Sequence, residues 1–285
     1  MLCCICNTRL EADVLADTFR CPSCAFRTSN FPVQINELRT VNEGIRIAGL
    51  KQLREANFKQ ILDQCSDFLP PDAKLLDVGC GHGWFIEAAH HRGYTCDGVE
   101  PDAGMASIAR RSGATIHQGY FPDIIPAGTK YDAILFNDVF EHIPDIGHLP
   151  RRIRDHLTPR GVLIINLPMS DGLIYRCSAL AAALGVEGPL ARLWQRGLPS
   201  PHVSYFSHHN LASLICKEGF DLVARADLQS LLLNGLWGRI RADANLGFVG
   251  AAATYAAALA LRSLTALFPS DVAYFVFRLG EHEQK

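Results

Sequence analysis

The chain has 285 residues, 48% of them hydrophobic and 20% charged, which describes an ordinary folded protein with room for one full domain and a small extra module. Its formal net charge of −2 excludes a chain-wide attraction to nucleic acid, although a local basic patch stays open. The N-terminus starts at once with Cys3, Cys4 and Cys6, without a basic-then-apolar leader, and the expectation is a cytoplasmic protein.

Residues 1–30 read as a hairpin anchored by cysteines. Cys3-x-x-Cys6 and Cys21-x-x-Cys24 are separated by fourteen residues. So short a segment buries too little apolar surface to fold alone. Four thiolates with no open coordination position suit structural, tetrahedral zinc in a reducing compartment better than disulfides. Cys4 is a spare, because the C-x-x-C spacing selects Cys3. Residues 31–71 are expected to form a helical linker or lid. Ile45, Leu53, Phe58, Ile61, Leu62 and Cys65 recur near the helical period over 42–68, and Pro70-Pro71 ends the run.

From 72 to 285 short apolar strands alternate with helices. Strands are expected near 74–78, 95–100, 115–118, 131–136 and 161–166, with helices near 83–92, 103–112 and 149–156. This alternation means βαβ units and a parallel sheet. A helical insert follows at 172–200, then a helix over 210–218, a strand over 221–227, a second helical insert at 228–268 and a last strand over 272–279. Phe248 to Leu261 carries no charge, but its fourteen residues fall short of the roughly twenty needed to span a bilayer. The stretch is read as a helix on the core or on a partner subunit, with peripheral membrane contact through 248–268 as the alternative.

Leu75 to Val78 is a buried strand running into Gly79-Cys80-Gly81-His82-Gly83-Trp84. Alternate glycines let a ligand approach the backbone, and the helix N-terminus that follows favours an anionic group. A dinucleotide would need glycine three residues after Gly81, where Trp84 stands instead. S-adenosylmethionine has no phosphate, only an amino-acid tail, and suits this turn: Asp77 accepts from its ammonium while backbone N–H groups face its carboxylate. Glu100, one strand later, is placed to accept from both ribose hydroxyls.

With Asp77-Val78-Gly79-Cys80-Gly81-His82-Gly83, Val99-Glu100-Pro101 and Phe136-Asn137-Asp138-Val139-Phe140-Glu141-His142-Ile143, the chain resembles the class I S-adenosylmethionine-dependent methyltransferases of small-molecule and polysaccharide type over about 74–280. Leu157-Thr158-Pro159-Arg160-Gly161 is similar to that family's turn into its fifth strand. The resemblance implies an α/β fold, a Rossmann-like seven-stranded sheet with helices on both faces and an antiparallel last strand, here with an N-terminal Cys4 zinc ribbon. It implies cofactor contacts at Gly79, Gly81, Glu100, Asn137 and Asp138. Cys80, Gly83 and Val139 join the expected cofactor site, and Gly119 and Tyr120 are candidates for the adenine by position.

Methyl transfer from a sulfonium is an in-line displacement, with a base needed only if the nucleophile carries a proton. His142 and His202 are the expected catalytic residues. His202 lies in Pro201-His202-Val203-Ser204-Tyr205-Phe206-Ser207, which resembles the H-x-x-x-F-S stretch of many such enzymes; a base, a substrate contact and a structural role all remain open for it. His208 and His209 are placed on a helix capped by Ser207. Asp138-x-x-Glu141-His142 is similar to the E-x-x-E-H pattern of ubiquinone-pathway and small-RNA methyltransferases, which implies a divalent cation there with His202 as a further ligand; the Asp is a departure, and relatives without metal use the pair to shape the pocket. Tyr175, Leu184, Trp194 and Trp237 are candidates for an apolar or sugar-stacking surface, although a Trp at helical spacing is more often a core residue. The expected activity is methylation, on oxygen, of a small molecule or glycan precursor. An RNA methyltransferase that docks RNA on its ribbon is the alternative, and a non-catalytic binding protein that kept the fold is a third reading. The oligomeric state is not legible.

Overall fold

The computed structural model describes residues 1–33, 43–230, 236–241, 247–265 and 268–280. Residues 34–42 of the expected linker, and 231–235, 242–246 and 266–267 of the second insert, lie outside the described residues.

The N-terminal ribbon carries β1 (Glu11–Ala12), β2 (Thr18–Arg20) and β3 (Arg27–Ser29), and α1 (Glu43–Cys65) follows. The core then alternates as β4 (Lys74–Val78), α2 (Trp84–His90), β5 (Thr95–Glu100), α3 (Ala103–Ala109), β6 (Ile116–Gln118), β7 (Tyr131–Asn137), α4 (Leu149–Arg154) and β8 (Leu157–Pro168). Next come α5 (Leu173–Ala183), α6 (Gly188–Leu193), β9 (Ser204–Tyr205), α7 (His208–Cys216) and β10 (Phe220–Asp227). The described chain closes with α8 (Leu236–Arg241), α9 (Phe248–Thr265) and β11 (Val272–Leu279).

The main sheet has seven strands in the order β10-β11-β8-β7-β4-β5-β6. β4 to β8 run parallel, and β11 is antiparallel to both its neighbours. Its central strands are near-continuous apolar runs because both faces are covered. Successive side chains point to opposite faces. Leu76, Val78, Ile134, Phe136, Leu163 and Ile165 therefore pack on one side with Ile153, Leu211 and Leu214 of α4 and α7. Leu75, Ala133, Leu135, Val162 and Ile164 pack on the other with Phe58, Ile61, Phe85 and Ala106 of α1, α2 and α3.

The strand order reverses beside β4: the chain moves to β5 and β6 on one side, then returns to β7 and β8 on the other. Such a switch point leaves a crevice at the carboxyl ends of the strands. The last residues of β4, β5, β6 and β7 lead into Gly79, Glu100, Gly119 and Asp138, so every expected cofactor position falls on that one edge.

The ribbon is joined to the rest of the molecule. β3 pairs antiparallel with β9, so a four-stranded sheet β1-β2-β3-β9 takes its last strand from the other end of the chain. Leu15 and Phe31 share a third core with Tyr175, Leu190, Trp194 and Tyr205. Tyr175 and Trp194 are thus core residues rather than a stacking surface, whereas Leu184 and Trp237 are exposed. Among the described residues no helix is long and apolar enough to cross a membrane.

Candidate active site

The glycine turn after β4 is built from positive φ angles: +73° at Gly79, +53° at Gly81 and +79° at Gly83. A side chain at Gly79 would put its Cβ 2.5 Å from Val139 Cγ2, whereas at Gly81 it would meet nothing within 4 Å among the described residues. Gly81 thus faces open space where a ligand can lie against the backbone. The Gly79 and Cys80 N–H groups both donate to Val99 O, at 2.7 and 3.0 Å. The Cys80 thiol is buried beside Gly98, so this residue braces the turn from behind instead of facing the crevice. Val139 likewise packs over Gly79. His82 stacks on Trp84 at 4.7 Å, in the space a dinucleotide's third glycine would leave clear.

Two buried carboxylates flank the turn. Asn137 Nδ2 donates to Asp77 Oδ1 at 3.1 Å, bridging β4 and β7 across the switch point. Burial lifts the Asp77 carboxyl to about 7; the Asn137 bond opposes this and the Glu100 charge adds to it. Glu100 accepts from Gly81 N and Asp102 N, each at 2.9 Å, which fixes its carboxylate at the end of β5. Gly119 N donates to Glu100 O, and Tyr120 beside it is exposed at the rim. Asp77, Glu100 and the open Gly81 face form a cradle whose carboxylate acceptors fit an ammonium and a vicinal diol.

Asp138 adopts a positive φ of +53°, a conformation in which Asp and Asn are enriched and which often marks a functional turn. Its carboxylate pairs with Arg54 of α1 at 3.2 Å. Sequence reasoning missed Arg54, since nothing in a helical repeat marks one arginine as facing a pocket. The cluster that does assemble is Glu141, His142 and His202, whose ligand atoms lie within 4.8 Å of one another. Asp138, grouped with Glu141 and His142 from the sequence, stands outside that set, whereas His202, the further ligand expected there, belongs to it.

His142 Nδ1 lies 2.9 Å from the Pro201 carbonyl, which can only accept. The bond fixes the proton on Nδ1 and leaves the lone pair on Nε2, 3.9 Å from Glu141 Oε1. His202 Nε2 is 3.8 Å from the same oxygen and 2.9 Å from Gln195 Nε2. Burial, with the His142 charge adding, pushes the His202 imidazole down to about 3, so it is neutral at ordinary pH. Burial pushes the Glu141 carboxyl well up, the Asp138 charge reinforcing it. Among the described residues both Glu141 carboxylate oxygens are buried without a hydrogen-bond partner, an expensive state. His208 is elsewhere, paired with Asp171 at the start of α7 under the Ser207 cap.

The ribbon brings Cys3, Cys6, Cys21 and Cys24 together, with Cys3–Cys24 and Cys6–Cys21 sulfurs 3.6 and 3.4 Å apart. These are near the separations tetrahedral thiolates keep around a metal and far beyond an S–S bond. The two knuckles repeat one geometry. Asn7 N donates to Cys3 O and Ala25 N to Cys21 O, with Asn7 and Ala25 both at positive φ. Cys4 is not in the cluster.

A family profile described as a methyltransferase domain matches residues 50–225. The chain belongs to the methyltransferase domain family. Within it, this methyltransferase-domain chain is 30% identical over 99 residues to the ubiquinone biosynthesis O-methyltransferase of Azorhizobium caulinodans, covering 33% of this chain and 39% of that protein. The match thus spans about two-fifths of that relative's length. The protein of the same name from Cereibacter sphaeroides is 27% identical over 194 residues, 62% of this chain and 72% of that one. In fold, the chain is similar to the S-adenosylmethionine-dependent methyltransferase of Thiobacillus denitrificans solved with S-adenosylhomocysteine. The TM-score is 0.53 at 14% identity, covering 85% of this chain and 98% of that one.

Proposed function

We propose that this protein transfers the methyl group of S-adenosylmethionine to a hydroxyl oxygen of a small molecule or glycan precursor. The observation that carries the reading is the convergence on one sheet edge of the Asp77–Glu100 cradle and the Glu141–His142–His202 cluster. The donor supplies an electrophilic methyl on a sulfonium. Asp77 would hold its ammonium and Glu100 its ribose hydroxyls, and the Gly81 face would let it lie against the turn; Asn137 keeps Asp77 in place. On the acceptor side, His142 presents Nε2 to take the hydroxyl proton, its ring fixed by the Pro201 carbonyl. His202, with a pKa of about 3, is too weak a base for that task and serves as a neutral contact. Most of the acceleration comes from alignment. The O-methyltransferase names of the relatives support oxygen as the nucleophile.

A second reading concerns Glu141. A divalent cation held by Glu141, His142 and His202 would satisfy its two partnerless oxygens and orient acceptor hydroxyls. We assign the four ribbon thiols to structural zinc on the donor set alone.

The test is to incubate the protein with isotope-labelled S-adenosylmethionine and host metabolite extract, with and without added Mg²⁺, and identify the product by mass spectrometry. A labelled methyl ether supports the reading. Label only in RNA, or none despite tight S-adenosylhomocysteine binding, overturns it. Unchanged turnover after divalent ions are removed ends the cation reading.

A further inference from the structure

The ribbon is built into the acceptor side of the site, and the hydrogen bonds around one dipeptide show how. The N–H groups of His202 and Val203 both go to the transferase core: His202 N donates to Trp194 O at 3.1 Å and Val203 N to Glu141 O at 2.9 Å. Their carbonyls both go to the ribbon. Ser29 Oγ donates to His202 O at 3.0 Å, Thr28 Oγ1 to Val203 O at 2.8 Å, and Ser29 N to Val203 O at 3.0 Å. His202, Val203 and Ser204 are all buried, so carbonyls stripped of these donors would have no water to turn to.

The link runs back to the cysteine knuckles. Asn210 Nδ2 donates to Cys24 O at 3.1 Å, while Asn210 Oδ1 accepts from Ser207 N at 2.9 Å, two residues beyond β9. Asn210 is fully buried. Lys217, just past the end of α7, donates to the Cys4 carbonyl. β9, paired with β3 of the ribbon, begins two residues after His202, whose ring lies 4.7 Å from that of His142, centre to centre. A module that merely docked a substrate would not need to supply an active-site segment with its backbone partners.

We propose that Thr28 and Ser29 are positioning residues for His202, and that the folded, metal-loaded ribbon is the clamp that holds the acceptor side of the site in register. This rests on the reading of His202 as an acceptor-side group and of the four thiols as a zinc site. The ribbon would thereby couple the integrity of a thiolate-metal centre to methyl transfer without touching the cofactor cradle, whose residues lie on β4, β5 and the turn after β4.

The test compares the full-length protein with the double variant Thr28→Val/Ser29→Ala and the hydroxyl-retaining control Thr28→Ser/Ser29→Thr. The readouts are amide hydrogen exchange over 200–206, the ¹⁵N signals of the His142 and His202 rings, and S-adenosylhomocysteine affinity. The clamp predicts exchange over 202–206 about tenfold faster in the first variant, from the loss of two buried hydrogen bonds. It also predicts shifted imidazole signals, unchanged affinity for S-adenosylhomocysteine, and recovery in the control. Removing zinc from the native protein should give the same local change while exchange in β4 and β5 stays as it was. Unchanged exchange over 202–206, or a loss of protection spread evenly over the molecule, overturns the clamp. Faster exchange with undiminished methyl incorporation into the extract keeps the clamp and overturns the placement of His202 on the acceptor side.

Discussion

Asn137 donates to Asp77 across the boundary between β7 and β4, a 3.1 Å bond to a buried carboxyl whose pKa is lifted to about 7. Asp77 is therefore partly protonated near neutrality before cofactor arrives. An ammonium placed beside it favours the ionised form, so binding lowers the pKa and releases a proton. Affinity for S-adenosylhomocysteine should rise as pH rises through about 7, with fractional proton release at pH 7 in titration calorimetry run in buffers of different ionisation enthalpy. Asp77→Asn should bind more weakly and lose that proton release. Equal release in both proteins would place the ammonium elsewhere.

His202 sets a different pH dependence. Its imidazole has a folded pKa of about 3 against 6.5 in the unfolded chain, so below pH 6.5 the unfolded state binds a proton that the folded state refuses. The neutral, buried ring costs no stability above pH 6.5. Stability is lost as pH falls from there toward 3, by about 2–3 kcal/mol between pH 7 and 4.5 for this one group. Asp77 and Glu141 titrate with the opposite sign, since their folded pKa values are raised and acid relieves them. Urea unfolding of the native protein and His202→Gln at both pH values isolates the histidine. The variant should lose less stability on acidification, and parallel losses would show that the ring is hydrated and titrates normally.

How much of this could be read from the sequence follows the range of each interaction. The strands β4, β5 and β7 and the glycine turn announce themselves locally, because apolar runs and glycine spacing are set by neighbours in the chain. The four knuckle cysteines are equally local. β9 was not legible: two residues, Ser204 and Tyr205, are strand only because Arg27 and Thr28 lie against them across about 175 positions. For Tyr175 and Trp194 both a surface and a core place stay open in the sequence, because helical aromatics carry no mark of what covers them; Leu15 and Phe31 from the ribbon side complete that core. Spacing alone puts Asp138 with Glu141, and its partner Arg54, from a helix more than eighty residues earlier, leaves no mark at that range.

Trp194 should report whether ribbon and core melt together. It is wholly buried, meets Phe31 edge-on at 6.1 Å and Tyr205 at 4.9 Å, and its carbonyl accepts from His202 N. Trp194→Ala removes a large side chain from a closed core, a change that typically costs about 3–5 kcal/mol. In urea the variant should unfold in one transition at lower denaturant, with native S-adenosylhomocysteine affinity below that transition. Two separated transitions in the native protein would mean that the ribbon folds on its own.

The glycines of the turn separate stability from binding. Gly79 and Gly81 both sit at positive φ, where a side chain costs on the order of 1–2 kcal/mol. At Gly79 a methyl group would also strike Val139 Cγ2 at 2.5 Å, so Gly79→Ala must move a packed side chain and should lower the melting temperature by several degrees. At Gly81 the methyl group enters open space. Gly81→Ala should therefore fold with a smaller loss of stability, yet weaken S-adenosylhomocysteine by tenfold or more, because the added carbon occupies the volume the ligand needs. Thermal melts and calorimetry on the two variants decide the matter. If Gly81→Ala binds as tightly as the native protein, the cofactor does not lie against this turn, and the cradle assigned to Asp77 and Glu100 would be wrong.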